Sequence, residues 1–405
     1  MRNNCIIIGA SHAACQLAFS LRQEGWEGGI HIIGDEDYLP YQRPPLSKTY
    51  ILGETNEEEL LIRPEKLYEK HNIKVSLGTR VGKIDRSAQT ITLTNKDVLP
   101  YHRLAICTGS RVRKVKLKGS ELEGVHYLRD ISDVKKIKAS TSNAKNAVII
   151  GGGYIGLETA ASLRKSGLEV TVLEMAPRVL ERVTAPEISE FYTRVHSEEG
   201  VVIKTNVAVS EITGSSGKVE TIVCSDNTAY PADLVVIGIG IIPNIELAEE
   251  SGLDIDNGIS VNEFAQTSDP NIVAAGDCTN HPNSIYGKLR LESVPNAMEQ
   301  AKTAAATLCG KQKPYDSLPW FWSDQFDLKL QIAGLNRGYD QVVIRGDQKQ
   351  GRSFAAFYLK DKKLLATDCI NRPQEFMISK RLIPQQKTID ADNLANEEFD
   401  LKGLL

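Results

Sequence analysis

Two segments of this chain place glycines and other small residues where an apolar run must turn sharply into a helix. In the cleaner one, Ala147-Val148-Ile149-Ile150 leads into Gly151-Gly152-Gly153-Tyr154-Ile155-Gly156 and then a helical stretch through Leu157 and Glu158. In this G-x-G-x-x-G spacing Gly151 permits the tight turn, Gly153 lets backbone approach a pyrophosphate, and Gly156 allows close packing of helix on strand. The helix N-terminus then offers free N–H groups to the anion. A second strand, Glu169–Leu173, ends in Glu174, where a carboxylate accepts hydrogen bonds from an adenine ribose. A ribose 2′-phosphate would meet like charge there, so the sequence predicts NADH over NADPH, a preference softened by Arg178 and Arg182 just downstream.

The other segment, Cys5-Ile6-Ile7-Ile8-Gly9-Ala10-Ser11-His12-Ala13-Ala14, is degenerate, with Ser11 and Ala14 where the second and third glycines would stand. Alanine is an accepted variant at the third position, whereas Ser11 adds a side chain where the pyrophosphate comes closest. Taken alone it reads equally well as an ordinary buried strand and turn. A following strand, Ile30 to Ile33, again finishes near a carboxylate, Asp35, as ribose binding requires. Two such turns in one chain predict that two dinucleotides are held at once.

The elements that must position these turns alternate between strand and helix through the first two-thirds, which predicts parallel sheets with crossover helices. Three further strands close in small-residue turns: Leu104 to Ser110, Val235 to Gly240, and Ile272 to Cys278, the last carrying Asp277. A charged stretch from Arg111 to Lys118 reads as a linker. After Pro314 come the aromatic cluster Trp320-Phe321-Trp322 and a hairpin, Phe354 to Lys360 and Lys363 to Ile370, turning at Asp361 and Lys362. The fold class is therefore α/β, with two Rossmann-like dinucleotide-binding domains followed by a small α+β C-terminal domain.

With 405 residues, 41% hydrophobic and 25% charged, the chain can fill two or three domain cores. A net charge of −4 argues against a nucleic-acid binder, which needs clustered excess Lys and Arg. No apolar run reaches the roughly 18 residues of a membrane span. The N-terminal apolar stretch lacks a signal-peptide cleavage pattern, so the expected location is cytoplasmic. The seven cysteines show no C-x-x-C and no His partners at metal-ligand spacing, and they read as small buried hydrophobes in a reducing compartment rather than a metal site.

Over essentially its whole length the chain resembles the FAD-dependent ferredoxin reductases that serve cytochrome P450 and ring-hydroxylating oxygenase systems, the putidaredoxin reductase type within the glutathione-reductase-like superfamily. The residues that carry the resemblance are Arg43-Pro44-Pro45-Leu46-Ser47-Lys48, Thr108-Gly109-Ser110, Gly151 to Glu158, Glu181 to Pro186, Gly276-Asp277-Cys278, Glu292 to Ala297 and Pro319 to Gln325. The resemblance implies an FAD domain interrupted by an inserted NAD domain: FAD-binding residues 1–112, NAD-binding residues 113–239, FAD-binding residues 240–313 and a C-terminal domain over 314–405. It implies further that Gly9, Ala13 and Ala14 line the FAD pyrophosphate, with Ser11 a departure from the usual glycine, and that Asp35 meets the ribose. Lys48 would lie near the isoalloxazine, Val81 near the adenine, Arg129 on the crossover between domains, Asp277 at the ribityl chain or pyrophosphate, and Val294 at the pyrimidine edge of the flavin. Read without the resemblance, Asp277 would serve as well as the N-cap of a following helix, and Lys48 as a surface lysine.

Disulfide reductases of the same superfamily carry a redox-active cysteine pair after the first crossover helix, and the corresponding stretch from Tyr41 to Gly53 contains no cysteine. Electrons are therefore expected to leave the flavin for an external acceptor. In this reading NADH is held by the Gly151 turn and Glu174, Glu158 holds the nicotinamide carboxamide, Lys48 is its ion partner, and Trp322 with Trp320 shapes the exit to a [2Fe-2S] ferredoxin. Ferredoxins are commonly acidic, so Arg63, Lys302 and Lys329 are the candidate docking residues. Two other functions fit the same pattern: an NADH-dependent flavoenzyme reducing a small acceptor such as monodehydroascorbate, a quinone or oxygen, and a non-catalytic NADH-sensing flavoprotein.

Overall fold

The computed structural model describes residues 3–405, which pack as two units. Of the described residues, one unit comprises 3–42, 57–111 and 242–319; the other comprises 43–56, 112–241 and 320–405.

In the first unit the apolar runs Asn4–Ile8, Gly29–Ile33, Ile73–Ser76, Arg103–Ile106 and Ile272–Ala274 are strands of one parallel sheet. Their order across the sheet is Ile272–Ala274, Arg103–Ile106, Asn4–Ile8, Gly29–Ile33, Ile73–Ser76. Such strands are apolar on both faces because both are covered, one by helices and the other mainly by the antiparallel strands that carry Val81, Ile84, Ile91 and Leu93. One cover is a pair of helices, His12–Glu24 and Val294–Leu308, that meet through Ala13, Ala14, Leu17, Ala18, Ala297, Ala301 and Ala305, all in one buried cluster. Small side chains on both helices let their backbones lie close to each other.

The second unit repeats the plan. Its parallel sheet runs Val201–Lys204, Glu169–Leu173, Asn146–Ile150, Leu234–Ile237, Val125–Tyr127. Each parallel sheet has its own three-stranded antiparallel excursion, Val81 to Pro100 in the first unit and Val209 to Pro231 in the second. The fifth strand differs in origin: it follows the other four in the chain in the first unit and precedes them in the second. The charged stretch expected to be a linker contains only the short strand Ser110–Val112 and then irregular chain.

Residues 320–405 form a five-stranded antiparallel sheet, with Pro373–Leu382 as its principal helix. The hairpin lies where the sequence places it, Ser353–Lys360 and Lys363–Ile370, and Asp361 and Lys362 have φ of 51° and 61°. Two consecutive positive φ values are those of the type I′ turn, whose twist matches the strands it joins.

This sheet buries one unusual group. Asp368 is 1% exposed and accepts a 2.5 Å hydrogen bond from the Tyr358 hydroxyl. Burial nevertheless pushes its carboxyl from 3.8 up to about 7. Because the native value lies above the unfolded one, the native chain keeps a proton that the unfolded chain releases, and the associated stability is lost as pH rises through about 7. Asp368→Asn keeps an acceptor for Tyr358 and removes this titration. Its melting temperature is expected to gain on that of the unaltered protein as pH rises toward 7, with a flatter dependence between about pH 4 and pH 7. An identical pH dependence in both proteins would place the titration on another group.

Candidate active site and nucleotide turns

The second glycine turn is built as its spacing predicts. Gly151 has φ +111°, and a Cβ there would lie 2.4 Å from the Gly238 carbonyl oxygen. A Cβ on Gly156 would lie 2.1 Å from the Gly151 carbonyl oxygen, so this glycine sets the packing of helix Tyr154–Lys165 on its strand. Gly153 is different, because a Cβ there would meet nothing within 4 Å. It is the N-cap of that helix, with no side-chain cap and no acidic residue in the first turn. The helix N-terminus thus has no side-chain cap and lies beside open space at a residue without a side chain, which fits a dinucleotide pyrophosphate.

Glu174 fixes the rim of this turn. Its Oε2 accepts from the Gly152 N–H at 2.6 Å and its Oε1 from the Ala176 N–H at 2.7 Å, so the carboxylate is held in one orientation at the end of its strand. Arg178, expected to soften selection against a 2′-phosphate, is committed elsewhere. It donates to the Thr184 carbonyl at 3.0 Å, the Glu181 carbonyl at 2.9 Å and the Ser189 hydroxyl at 2.7 Å, and so clamps the loop that follows. Arg182 is exposed.

The first turn follows the same rules in its own unit. Gly9 has φ +109°, and a Cβ on it would lie 2.1 Å from the Cys107 carbonyl oxygen. Ser11 is the N-cap of helix His12–Glu24, its side chain makes no capping hydrogen bond, and the first turn has no acidic residue. Ala13 and Ala14 are buried in that first turn, and a Cβ on Gly276 would meet the Ala13 side chain at 3.3 Å. This cradle of small residues fits a second pyrophosphate. Asp35 lies just past the end of its strand, 64% exposed and 4.0 Å from Arg80. Asp277 sits in a turn that enters strand Thr279–Asn283, so no helix follows for it to cap. Its carboxylate accepts from the Ser110 hydroxyl at 2.8 Å, and its carbonyl lies 3.5 Å from the Arg290 guanidinium. Val294 opens the helix that Ser293 caps. Val81 is 4% exposed and packed in the core, which leaves its backbone as the part able to meet a ligand.

The densest constellation of polar groups lies in the second unit. Glu158, one turn into the glycine-turn helix, is 3% exposed. Its Oε2 accepts from Lys48 Nζ at 2.7 Å and from Ser47 Oγ at 2.5 Å, and its Oε1 accepts from Ser323 Oγ at 2.6 Å. A buried carboxylate is tolerated only with a countercharge and donors, and here both are present. Lys48 is 16% exposed and also donates to the Pro44 carbonyl at 3.2 Å, so it is no surface lysine. The segment that carries it is tied to the same helix by Ser162 Oγ, which donates to the Ser47 carbonyl at 2.7 Å. Arg43, at its start, donates to the Arg129 carbonyl at 2.8 Å, and the Arg129 N–H donates to Asp133 at 2.9 Å.

Sequence reasoning passed over Ser47 and Ser323, although both lie inside quoted motifs, because a lone serine carries no spacing signal. Trp322 is half-buried and lies 5.8 Å, ring to ring, from Trp320, which also packs beneath Lys380 Nζ at 4.5 Å. Of the docking candidates, Lys302 is paired with Glu299 at 2.5 Å, Arg63 lies over the Phe19 ring at 5.7 Å, and Lys329 is exposed. All seven cysteines are unbridged, and among the described residues no His, Cys, Asp and Glu cluster could hold a metal. No helix among them is long and apolar enough to cross a membrane.

Two parallel sheets of the same order, each with a glycine turn leading into a helix whose first turn has no acidic residue, are the arrangement of an oxidoreductase that works with two dinucleotides. The chain belongs to the pyridine nucleotide-disulphide oxidoreductase family, matched over residues 3–301, and residues 320–405 match the reductase C-terminal family. That membership implies the use of FAD and a nicotinamide nucleotide. It is 43% identical to putidaredoxin reductase CamA of Pseudomonas putida, over 100% of this chain and 97% of that protein. It is 40% identical to rhodocoxin reductase of Rhodococcus erythropolis, over 98% of this chain and 93% of that protein. The crystal structure of a covalent putidaredoxin reductase–putidaredoxin complex superposes with a TM-score of 0.96 at 43% identity, covering 99% of this chain and 98% of that one. The chain is a flavoprotein oxidoreductase of the ferredoxin reductase type.

The two glycines of the second turn separate ligand binding from folding. Gly153→Ala projects a methyl group into the open space and is expected to weaken NAD+ binding with little change in melting temperature. Gly156→Ala drives a methyl group into backbone and is expected to lower the melting temperature, by about 1–3 kcal/mol of stability. Calorimetric titration with NAD+ alongside thermal unfolding checks both, and equal loss of affinity and stability in Gly153→Ala would show that its open space is not the nucleotide cradle.

Proposed function

We propose that this chain is an NADH-dependent ferredoxin reductase whose electrons pass singly to a [2Fe-2S] ferredoxin serving an oxygenase, either a cytochrome P450 or a ring-hydroxylating enzyme. The observation that carries the proposal is the stretch from Tyr41 to Gly53, which holds no cysteine and instead directs Lys48 onto Glu158 at 2.7 Å. A dithiol relay is thereby missing from the place where the superfamily's disulfide reductases keep one. Full-length likeness to reductases named for putidaredoxin and rhodocoxin supports a protein acceptor.

In this reading residues 1–112 and 240–313 hold FAD and residues 113–239 hold NADH. Bound FAD supplies the conversion of a two-electron hydride donor into one-electron steps. The Gly151 turn holds the NADH pyrophosphate, and Glu174, locked by two backbone N–H groups, accepts from the adenine ribose hydroxyls. Arg178 spends its donors on its own loop, which leaves fewer of them to hydrogen-bond a 2′-phosphate, while Arg182 is exposed. Glu158 accepts from the nicotinamide carboxamide, fixing the ring's orientation, which is the main need of hydride transfer. Lys48 supplies the countercharge beside Glu158 and, with FAD bound, would contribute positive potential near the reduced ring. Ser11, Ala13, Ala14, Asp35, Val81, Arg129, Asp277 and Val294 are assigned to FAD, and Trp322 to the exit path.

Anaerobic stopped-flow mixing of the FAD-loaded protein with NADH, followed by a [2Fe-2S] ferredoxin, tests the proposal. Fast loss of flavin absorbance, then prompt ferredoxin reduction that slows with added salt, is the expected result. Flavin reduction without transfer to any ferredoxin would point to a small acceptor, and no flavin reduction to a sensing role. Replacing Glu174 by Ala is expected to narrow the NADH to NADPH ratio of kcat/KM by roughly tenfold, the scale of one charged hydrogen-bond partner. An unchanged ratio would show that this acid is not the discriminator.

A further inference from the structure

The donors on Glu158 do not stop at Ser323. Ser323 Oγ itself accepts from Gln325 Nε2 at 3.1 Å, and Gln325 Oε1 lies 2.8 Å from His196 Nε2. Ser323, Gln325 and His196 are each at most 1% exposed. Ser323 and Gln325 are two apart on strand Trp320–Gln325, so their side chains leave the same face. His196 comes from helix Pro186–Glu198 and Glu158 from the glycine-turn helix.

The direction of every link is determined by chemistry. A carboxylate can only accept, so the Ser323 hydroxyl donates to Glu158 and must take its own donor from an N–H. The Gln325 amide therefore turns its NH2 to Ser323 and its oxygen to His196. That oxygen can only accept, which places the single imidazole proton on Nε2. Burial pushes His196 down to about 4, so the ring is neutral at physiological pH. Its Nδ1 is buried without a hydrogen-bond partner, and the chain ends there.

Burying three polar side chains is costly, and here His196 Nδ1 is left without a partner to offset its share. This set terminates on the carboxylate that the proposed function assigns to the nicotinamide. The two oxygens of Glu158 are also unequal. Oε2 has two donors, Lys48 and Ser47, whereas Oε1 has only Ser323 and retains a second lone pair for a ligand N–H. We propose that Ser323, Gln325 and His196 are positioning residues, a one-way hydrogen-bond chain that fixes the rotation of the Glu158 carboxylate and aims Oε1 at the nicotinamide carboxamide. The inference rests on the reading of Glu158 given above.

Equilibrium binding of NAD+ to the FAD-loaded protein, measured by calorimetric titration beside thermal unfolding, tests it without turnover. Ser323→Ala and Gln325→Leu are each expected to raise the Kd for NAD+ about fivefold, the value of one net hydrogen bond. The double variant is expected to lose no more than Ser323→Ala alone, because both act through the same bond to Glu158. In a Glu158→Gln background, Gln325→Leu is expected to have no further effect on Kd. Steady-state kinetics should show the loss in KM for NADH ahead of kcat. A lowered melting temperature with unchanged Kd in both single variants would reduce the chain to core packing and overturn the inference. Should Gln325→Leu not fold, Ser323→Ala, which removes only a hydroxyl, gives the decision by the same Kd. If Glu158→Gln alone leaves NAD+ affinity intact, the assignment of Glu158 fails; if it weakens binding while the chain variants do not, only the positioning chain fails.

Discussion

A carboxylate withdrawn almost wholly from water must be surrounded by donors before the chain can fold around it, and Glu158 imposes that condition on its unit. The donors come from two stretches remote from the glycine-turn helix that carries Glu158: Ser47 and Lys48 from the early segment, and Ser323 from the antiparallel sheet. Residues 43–56 and 320–405 accordingly pack with 112–241. Leaving Lys48 out would strand a buried charge, a penalty of several kcal/mol, whereas leaving out one hydroxyl costs a single hydrogen bond and keeps the countercharge. Segments remote in sequence are thus tied together by one electrostatic requirement.

The nucleotide turns show the same economy by different means. At Gly9 and Gly151 the backbone approaches so closely that any side chain would collide with a carbonyl, and Gly156 plays this part between helix and strand. Gly153 has room for a side chain and lacks one. Three glycines in one motif therefore have distinct causes, two in folding and one facing outward. Glu174 and Arg178 divide the labour at the rim: the acid is held open at the strand end, while the guanidinium is occupied with the loop behind it.

Much of this was legible in the sequence because it rests on local rules. Strand, turn and helix around Gly151 follow from apolar periodicity and glycine spacing, and the hairpin at Asp361 and Lys362 from the breaks in a β pattern. The ion pair between Lys48 and Glu158 was suggested by likeness to a family, whereas the order of strands in each sheet came only with the structure. What pattern could not supply was the set of neutral partners. Ser47, Ser323, Gln325 and His196 acquire meaning only from their three-dimensional neighbours, since serine and glutamine serve equally well on any surface. The commitment of Arg178 was illegible for a related reason: its partners are two backbone carbonyls and a hydroxyl, groups present everywhere in a chain.

The differing origin of the fifth strand in the two parallel sheets has a consequence for how the protein is made. On a ribosome, the edge strand Val125–Tyr127 emerges before its neighbours, so the second unit's parallel sheet has every strand once Leu234–Ile237 has appeared. The first unit's sheet instead waits for Ile272–Ala274, and until then Arg103–Ile106 is an uncovered edge with unpaired backbone groups. Open edges of that kind invite pairing with other nascent chains. The interval of translation between these strands is therefore one in which the growing polypeptide carries that edge open.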